Sequence, residues 1–541
     1  MTSFLNKVFD YIKRQDISIS QYLLGLLGII FVRYLLEVIS SPTPNHNIPL
    51  DPSTIIHYGL SYIATVLGLA CIAIFLTKDR LNVLKVILFG STLLWLGPTL
   101  DLILTLGKGS TILYIFSTPK QLLVDFFNFF GPQVTLGLRI EIFVIILLAA
   151  AYVWASERNV KKTILAGVLT YIFIFFIFAI PSLIYIFGNT AISPNPNINS
   201  VISTLTKDIF NSNIVYNTID PTLSFGTPFR AFELGFNKLI SQIYIILSFI
   251  FGAFLFFKTE KDKFITIIKN SRPERVLFYF TLVAIGMGHA FKLGLGEASN
   301  WIDYMSIIVL AISWYSAWMF AVHTNDVVDE SIDKISNPER PIPEKTMHGE
   351  EMLQTSYIWL ALSLLGSYSV GYFPFILNLT FTMAYFVYSC PPLRYKRIPI
   401  LSSFLISIAC LSSVMAGFFF LAKDKTMTDF PALLSIGIIL IFTLATNIRD
   451  IKDIEGDKKE GIYTLPVIFA NHGRKIVAGM FALSFLLMPY FFSSYTLYIF
   501  AIPASIVGYF IVVRNPYREK YIFYLYFVFI LATIISTGSF F

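Results

Sequence analysis

The stretch Asn325-Asp326-Val327-Val328-Asp329-Glu330-Ser331-Ile332-Asp333, continued by Asn337-Pro338-Glu339-Arg340-Pro341, directly follows a long, nearly uncharged apolar run. Carboxylates at the edge of hydrocarbon are costly, so their density there calls for a function. On a helix, Asp326, Asp329 and Asp333 stand at i, i+3 and i+7 and share one face, from which they could hold a divalent cation together. A second run repeats the spacing: Asp450, Asp453 and Asp457, again at the end of an apolar segment, with Asn447 and Arg449 just upstream. Thirteen of the 33 acidic residues fall within 326–351 and 450–460, a crowding whose mutual repulsion favours a bound cation or a specific basic partner.

The composition identifies the solvent. With 56% hydrophobic and 13% charged residues over 541 positions, the chain reads as an all-α polytopic membrane protein whose main solvent is the lipid bilayer. The formal charge of +7 does not point to nucleic acid, because Lys and Arg collect in short loops as the positive-inside rule requires. Cys71, Cys390 and Cys410 lack metal-site spacing and read as small core residues. The first twenty residues show no cleavable signal, so the first membrane helix is expected to direct its own insertion.

Six apolar segments, near 20–40, 54–76, 82–105, 136–156, 163–188 and 239–257, predict an N-terminal membrane domain over 1–260. Residues 110–130 are less apolar and suit the interface, and the polar span with Asn189, Pro194, Asn195, Pro196 and Asn197 suits an outer loop. A basic hinge with Lys258, Lys261, Lys263, Lys269, Arg272 and Arg275 follows. Nine further spans, near 276–296, 302–324, 355–373, 375–389, 401–422, 430–447, 476–492, 495–513 and 521–539, predict a second domain over 265–541 and about fifteen transmembrane helices in all.

With the N-terminus taken as cytoplasmic, the inner loops of the second domain hold most of its loop cations, among them Arg340, Arg394, Lys396, Arg397, Arg449 and Arg514, whereas its outer loops hold only Lys423 and Lys425. Both acidic runs are therefore expected to face the cytoplasm. Carboxylates without nearby Cys or His select a hard ion, and Mg²⁺ commonly combines one or two of them with water and phosphate oxygens. Arg340, Arg449 and the loop Tyr388-Ser389-Cys390-Pro391-Pro392-Leu393-Arg394-Tyr395-Lys396-Arg397 lie on the same side, and two facing acid clusters with such donors suit a bridged diphosphate.

These residues resemble the signatures of the UbiA-type intramembrane prenyltransferases. N-D-x-x-D-x-x-x-D followed by R-P-I-P at 325–343, and D-x-x-D-I-E-G-D-x-x-x-G-x-x-T-L-P at 450–466, are similar to that family's two motifs in sequence, spacing and order, over roughly 265–541. The resemblance implies a nine-helix bundle around a cavity in which Mg²⁺ holds a polyprenyl diphosphate for transfer to a hydrophobic acceptor. It makes Asn325, Asp326, Asp329 and Asp333 the first Mg²⁺-diphosphate site, Asp450, Asp453 and Asp457 the second, and Arg340, Lys396 and Arg449 diphosphate contacts; the catalytic set is Asp326, Asp329, Asp450 and Asp453. Arg272-Pro273 resembles the usual start of the first helix. Many members carry Tyr four residues before the loop lysine, where this chain has Pro392. The Asp-Ile-Glu-Gly-Asp wording is similar to members acting on glyceryl-lipid, chlorin or homogentisate acceptors.

Outside the motifs, Arg33 with Glu37, Asp101, and Arg139 with Glu141 put charges at membrane depth, and 1–260 carries no catalytic motif. His323, one turn before the first motif, suits either a structural or a substrate-facing role. Three other functions would use related features: a phosphoribosyl-type transferase, an intramembrane terpene cyclase, or a cation-coupled transporter. A transporter site is expected near mid-membrane on broken helices, whereas these acids lie at helix ends beside arginines.

Overall fold

Inside a bilayer a backbone has no water to bond, so an open chain this apolar has only the helix with which to satisfy its N–H and C=O groups. The computed structural model describes residues 2–40, 51–108, 119–131, 134–188, 206–216, 228–423, 425–459 and 461–537, and every regular element among them is helical. Long helices stand at all fifteen predicted positions: α1 (Ile19–Ser40), α2 (Pro52–Leu76), α3 (Asn82–Leu104), α4 (Leu136–Glu157), α5 (Val160–Phe178), α6 (Pro228–Thr259), α7 (Pro273–Lys292), α8 (Trp301–Val328), α9 (Gly349–Val370), α10 (Tyr372–Ser389), α11 (Leu401–Leu421), α12 (Ala432–Ala445), α13 (Ala470–Phe491), α14 (Tyr498–Val513) and α15 (Lys520–Thr537). Eleven of them are long and apolar enough to cross a membrane, with α12 prolonged by a 3₁₀ turn to Ile451. The other four, α7, α9, α10 and α15, are shorter or more polar. The reason is visible in α9 and α10: Ser356, Ser363, Ser367 and Ser369 turn inward, and Ser363 donates to the buried Asn378.

The chain divides into two units, Met1–Asn211 with Thr227–Phe264, and Ser212–Gly226 with Ile265–Phe541. Of the loops read from sequence, 41–50, 109–118 and 189–205 lie outside the described residues; within the expected interfacial stretch, Pro119–Phe127 is a short helix.

In the first unit α2 packs along α6 and α4 along α5, around Phe130, Leu138, Ile142 and Phe175. Its membrane-depth charges are paired. Arg33, 2% exposed, donates from Nε to Glu37 (2.9 Å) and from a terminal nitrogen to Glu141 (2.7 Å). Tyr62 also donates to Glu37 (2.7 Å) and the Gly97 N–H to Glu141 (2.7 Å). Arg139 does not join this cluster: on a helix, positions two apart face away from one another, and Arg139 bonds the carbonyls of Val134 and Gly131. Asp101 accepts from Thr135 and from the Gly137 N–H.

The second unit is built around α8, packed along α9, and α11, packed against α7 and α10. The α7–α11 crossing is a backbone contact: a Cβ on Gly417 would lie 1.8 Å from the Val283 carbonyl oxygen, and one on Gly286 1.8 Å from that of Val414. Small residues permit this approach where lipid offers helices no hydrophobic gain from association. Asn300 caps α8 by accepting from the Ile302 and Asp303 N–H groups, and Asp329 ends it. The two acidic runs then continue as short helices, Glu330–Ser336 and Ile454–Lys459, which pack on one another. Gly456 makes that possible, since a Cβ there would stand 2.5 Å from Ser336 Oγ and 2.9 Å from Ile332 Cγ2.

Candidate active site

Neither acidic run is one continuous helical face, as its spacing alone suggests. Asp326 lies in the last turn of α8, Asp329 at the break, and Asp333 on the short helix beyond it. Asp450 lies in the 3₁₀ turn after α12, and Asp457 on the helix after the next break. A helix C-terminus is the negative end of the backbone dipole, so carboxylates gathered there oppose its continuation. The breaks turn the acids toward one cavity, with about 540 Å³ of empty space, lined by Asp329, Asp333, Asp450, Asp453 and Asp457 and by Arg272, Arg275, Arg340, Lys396, Arg449 and Lys452. Asn325 also lines it.

Each acid of the first run is held by cations. Asp326, 1% exposed, accepts from Arg272 (2.8 Å), Arg340 (3.3 Å) and Asn270 (2.8 Å). Asp329 accepts from Arg394 (3.0 Å) and from Lys396. Asp333 accepts from Arg340 and from Asn337 (3.0 Å). The Asn337 amide also donates to Asp453 (3.1 Å), so a single side chain cross-links the two runs. Asn325 accepts from Ser389 (2.8 Å), tying α8 to the end of α10. Arg449 lies over the ring of Tyr388, 5.3 Å from its centroid, and 6.0 Å from that of Tyr385. All ten residues singled out from the sequence are thus in one region: nine line the cavity, and Asp326 sits behind Arg272 and Arg340.

The electrostatics are those of charges held close together out of water. Burial and then the neighbouring Asp453 push the Asp457 carboxyl up to about 7, and burial with Asp326 and Asp329 nearby pushes Asp333 up to about 6 despite Arg340. Against the opposing effect of burial, Asp326, Asp333 and Asp453 hold Arg340 more firmly protonated. Burial and the like charge of Arg340 bring Arg272 down to about 10.

Among the described residues, no three His, Cys, Asp or Glu side chains converge into a ready-made metal cage. The donor chemistry nevertheless fits a hard cation that brings oxygen ligands with it. The cavity offers carboxylates from both runs, and the raised Asp333 and Asp457 mark where added positive charge would relieve repulsion.

A second cavity, with about 710 Å³ of empty space, is almost wholly apolar and shares Arg275 and Arg449 with the first. Phe278, Phe442, Phe481, Phe485 and Tyr526 line it, and Tyr279 and Tyr385, hydrogen-bonded to each other, stand beside the two arginines. His323 is fully buried, edge-on to Trp359 with ring centroids 6.4 Å apart, and lines neither cavity.

Sequence reasoning did not single out Arg275, Asn337, Lys452 or Glu519 as site residues. Asn337 is contiguous with the first motif and Lys452 lies inside the second, so position could have flagged both. Glu519 sits 62 residues beyond Asp457, and only the fold brings it near.

The UbiA prenyltransferase family matches residues 277–531. Among curated relatives, the digeranylgeranylglyceryl phosphate synthase of Sulfolobus acidocaldarius is 28% identical over 202 residues, covering 36% of this chain and 70% of that protein. That of Thermococcus gammatolerans is 32% identical over 164 residues, 30% of this chain and 55% of that one. The bacteriochlorophyll synthase 33 kDa chain of Rhodobacter capsulatus is 32% identical over 154 residues, 27% and 49% respectively. The chain thus spans about half the length of the latter two. A solved UbiA homolog from Archaeoglobus fulgidus, bound to GPP and Mg²⁺, aligns with 49% of this chain and 96% of its own at 18% identity and a TM-score of 0.40. Residues 277–531 of this integral membrane protein are a UbiA prenyltransferase family domain.

Proposed function

We propose that this chain is a Mg²⁺-dependent intramembrane prenyltransferase that moves a polyprenyl group from its diphosphate to a lipid or aromatic acceptor, with residues 265–541 as the catalytic domain. The observation that carries this reading is the junction of the two cavities: a polar one lined by both acidic runs and six cations meets an apolar, aromatic one across Arg275 and Arg449. An amphiphile with a diphosphate head and a hydrocarbon chain has the two chemistries in that order.

Asp329, Asp333, Asp450, Asp453 and Asp457 would hold Mg²⁺ together with the diphosphate oxygens, and bound Mg²⁺ supplies neutralisation of the leaving group's charge. Arg340, Lys396 and Arg449 orient the diphosphate and stabilise the charge that grows on it. The allylic C–O bond breaks with its electron pair leaving on the diphosphate oxygen. Tyr279, Tyr385 and Tyr388 present aromatic rings beside that bond, and ring faces attract the allylic cation. The apolar walls keep water from that cation. The acceptor's nucleophilic atom then bonds the allylic carbon, and its proton leaves to water or to the departing diphosphate.

A glyceryl-lipid or chlorin-type acceptor is supported by what the named relatives make, and the count of loop cations supports a site on the cytoplasmic face. The test is an assay of purified protein with Mg²⁺ and labelled polyprenyl diphosphate against glyceryl-lipid, phenolic and sugar-phosphate acceptors. A prenylated glyceryl lipid or ring is the expected product. Transfer to the sugar phosphate or a cyclised terpene would replace this reading, and cation-driven uptake into vesicles without diphosphate release would favour a transporter.

A further inference from the structure

Glu519 lies between α14 and α15, far in sequence from either acidic run. One of its carboxylate oxygens accepts from Arg275, near the start of α7, and the other from Lys452, inside the second acidic run (2.8 Å). Both cations line the polar cavity, and Glu519 itself lines the apolar one. Its side chain is 16% exposed and that of Arg275 8%. Nearby, Tyr517 donates to the Ile448 carbonyl (3.2 Å), fixing the same segment to the 3₁₀ turn that carries Asp450. Against the upward pull of burial, Arg275 and Lys452 hold the Glu519 carboxyl well below the usual carboxylate range, so it stays an anion throughout the physiological pH range.

Resting on the reading of the polar cavity as a diphosphate site, we propose that Glu519 is a built-in counter-anion that competes with the diphosphate for Arg275 and Lys452 and thereby limits how tightly released diphosphate is retained. The two cations are close enough to the site to bind phosphate oxygens, yet each is already bonded to a carboxylate on the side of the apolar cavity. Diphosphate must share or displace that carboxylate as it binds, and the carboxylate recovers both donors as diphosphate leaves. Glu519 touches neither the allylic bond nor the acceptor in this scheme. It acts through the two cations, as a positioning residue.

The consequence has an unusual sign. Loss of a buried anion ordinarily weakens a site, but here it leaves two cations uncompensated in the empty protein, and an incoming anion relieves them. The test is calorimetric titration of the full-length protein in detergent with inorganic diphosphate at saturating Mg²⁺. Glu519→Gln is expected to bind about ten-fold more tightly than the wild type, the scale of one charge-assisted hydrogen bond, and Glu519→Asp to stay close to the wild type. A second comparison carries less uncompensated charge: Glu519→Gln on a Lys452→Met background is expected to bind more tightly than Lys452→Met alone. Equal or weaker binding in both comparisons, with wild-type binding intact, would overturn the counter-anion and leave the diphosphate site standing. No binding to the wild type would overturn the diphosphate reading, and the counter-anion with it.

Discussion

One amide hydrogen-bonds to both acidic runs, and Asn337→Ala isolates its worth. Asn337 is 6% exposed and donates to Asp333 at 3.0 Å and to Asp453 at 3.1 Å, so truncation removes two hydrogen bonds to carboxylates and leaves both oxygens facing each other across a gap. A hydrogen bond to a charged group contributes about 1.5–3 kcal/mol, and each of the two uses its own N–H of the amide, so a loss of at least about 2 kcal/mol in the preorganisation of the site is expected. That corresponds to a fall of roughly 30-fold in the affinity for Mg²⁺-diphosphate, read by calorimetry on detergent-solubilised protein. A double-mutant cycle sharpens the test. Asn337→Ala on an Asp453→Asn background should cost at least about 1 kcal/mol less than on the wild type, because the partner's charge is already gone. Binding unchanged by Asn337→Ala, or fully additive effects of the two substitutions, would refute the cross-link as the element that sets the spacing of the runs.

Other substitutions and conditions read other parts of the molecule. Asp326→Ala leaves the half-buried Arg272 and Arg340 without their shared carboxylate, Arg340 keeping Asp333, so thermal denaturation should report a loss of about 2 kcal/mol, together with loss of prenyl transfer; a melting temperature equal to the wild type would contradict the pairing. Cation binding requires deprotonated carboxylates, so Mg²⁺-diphosphate affinity should fall as pH drops through about 7 and then about 6, with protons taken up by Asp457 and Asp333; a flat profile from pH 5.5 to 8, taken as roughly the window those values set, would exclude them as ligands. Without Mg²⁺ the sign reverses for stability. The folded chain holds these two protons more tightly than the unfolded chain, so stability should decline as pH rises from the ordinary carboxylate range toward 7. At the α7–α11 crossing, Gly417→Val places a branched side chain where even a Cβ meets the Val283 carbonyl oxygen at 1.8 Å, and a destabilisation of about 3 kcal/mol is expected in a detergent melt, against near-neutrality for the same change at Gly479, where nothing lies within 4 Å.

Much of the fold was legible because the bilayer permits so few solutions. Apolar runs long enough to span it located all fifteen long helices, including α9 and α10, whose inward serines and Asn378 keep them below the apolarity of a simple span. The acids of the site were legible for a related reason: Asp326 and Asp450 follow directly on hydrocarbon-like sequence, where a carboxylate is expensive without a partner. Spacing read at helical period nevertheless placed each run on one continuous face, and the structure breaks both at their second aspartate or just before it. Those breaks follow from charge gathered at helix C-termini, which periodicity does not register. The cations that complete the site were partly visible, as Arg340 and Lys396 lie in loops beside the motifs. Glu519 and Arg275 were not, because what makes them part of it is the meeting of the α14–α15 connection with the start of α7. In the first unit, i, i+4 geometry gave Arg33 and Glu37, while the third member, Glu141, arrives from α4 and had no local signature.

The central claim is that both acidic runs serve one prenyl diphosphate, and the most direct measurement is release of inorganic diphosphate from a labelled polyprenyl diphosphate, coupled to prenyl transfer, by the wild type, Asp329→Ala and Asp453→Ala. Mg²⁺-dependent release and transfer by the wild type, with both lost when either run is altered, is the predicted result. Turnover that survives both substitutions unchanged would contradict it.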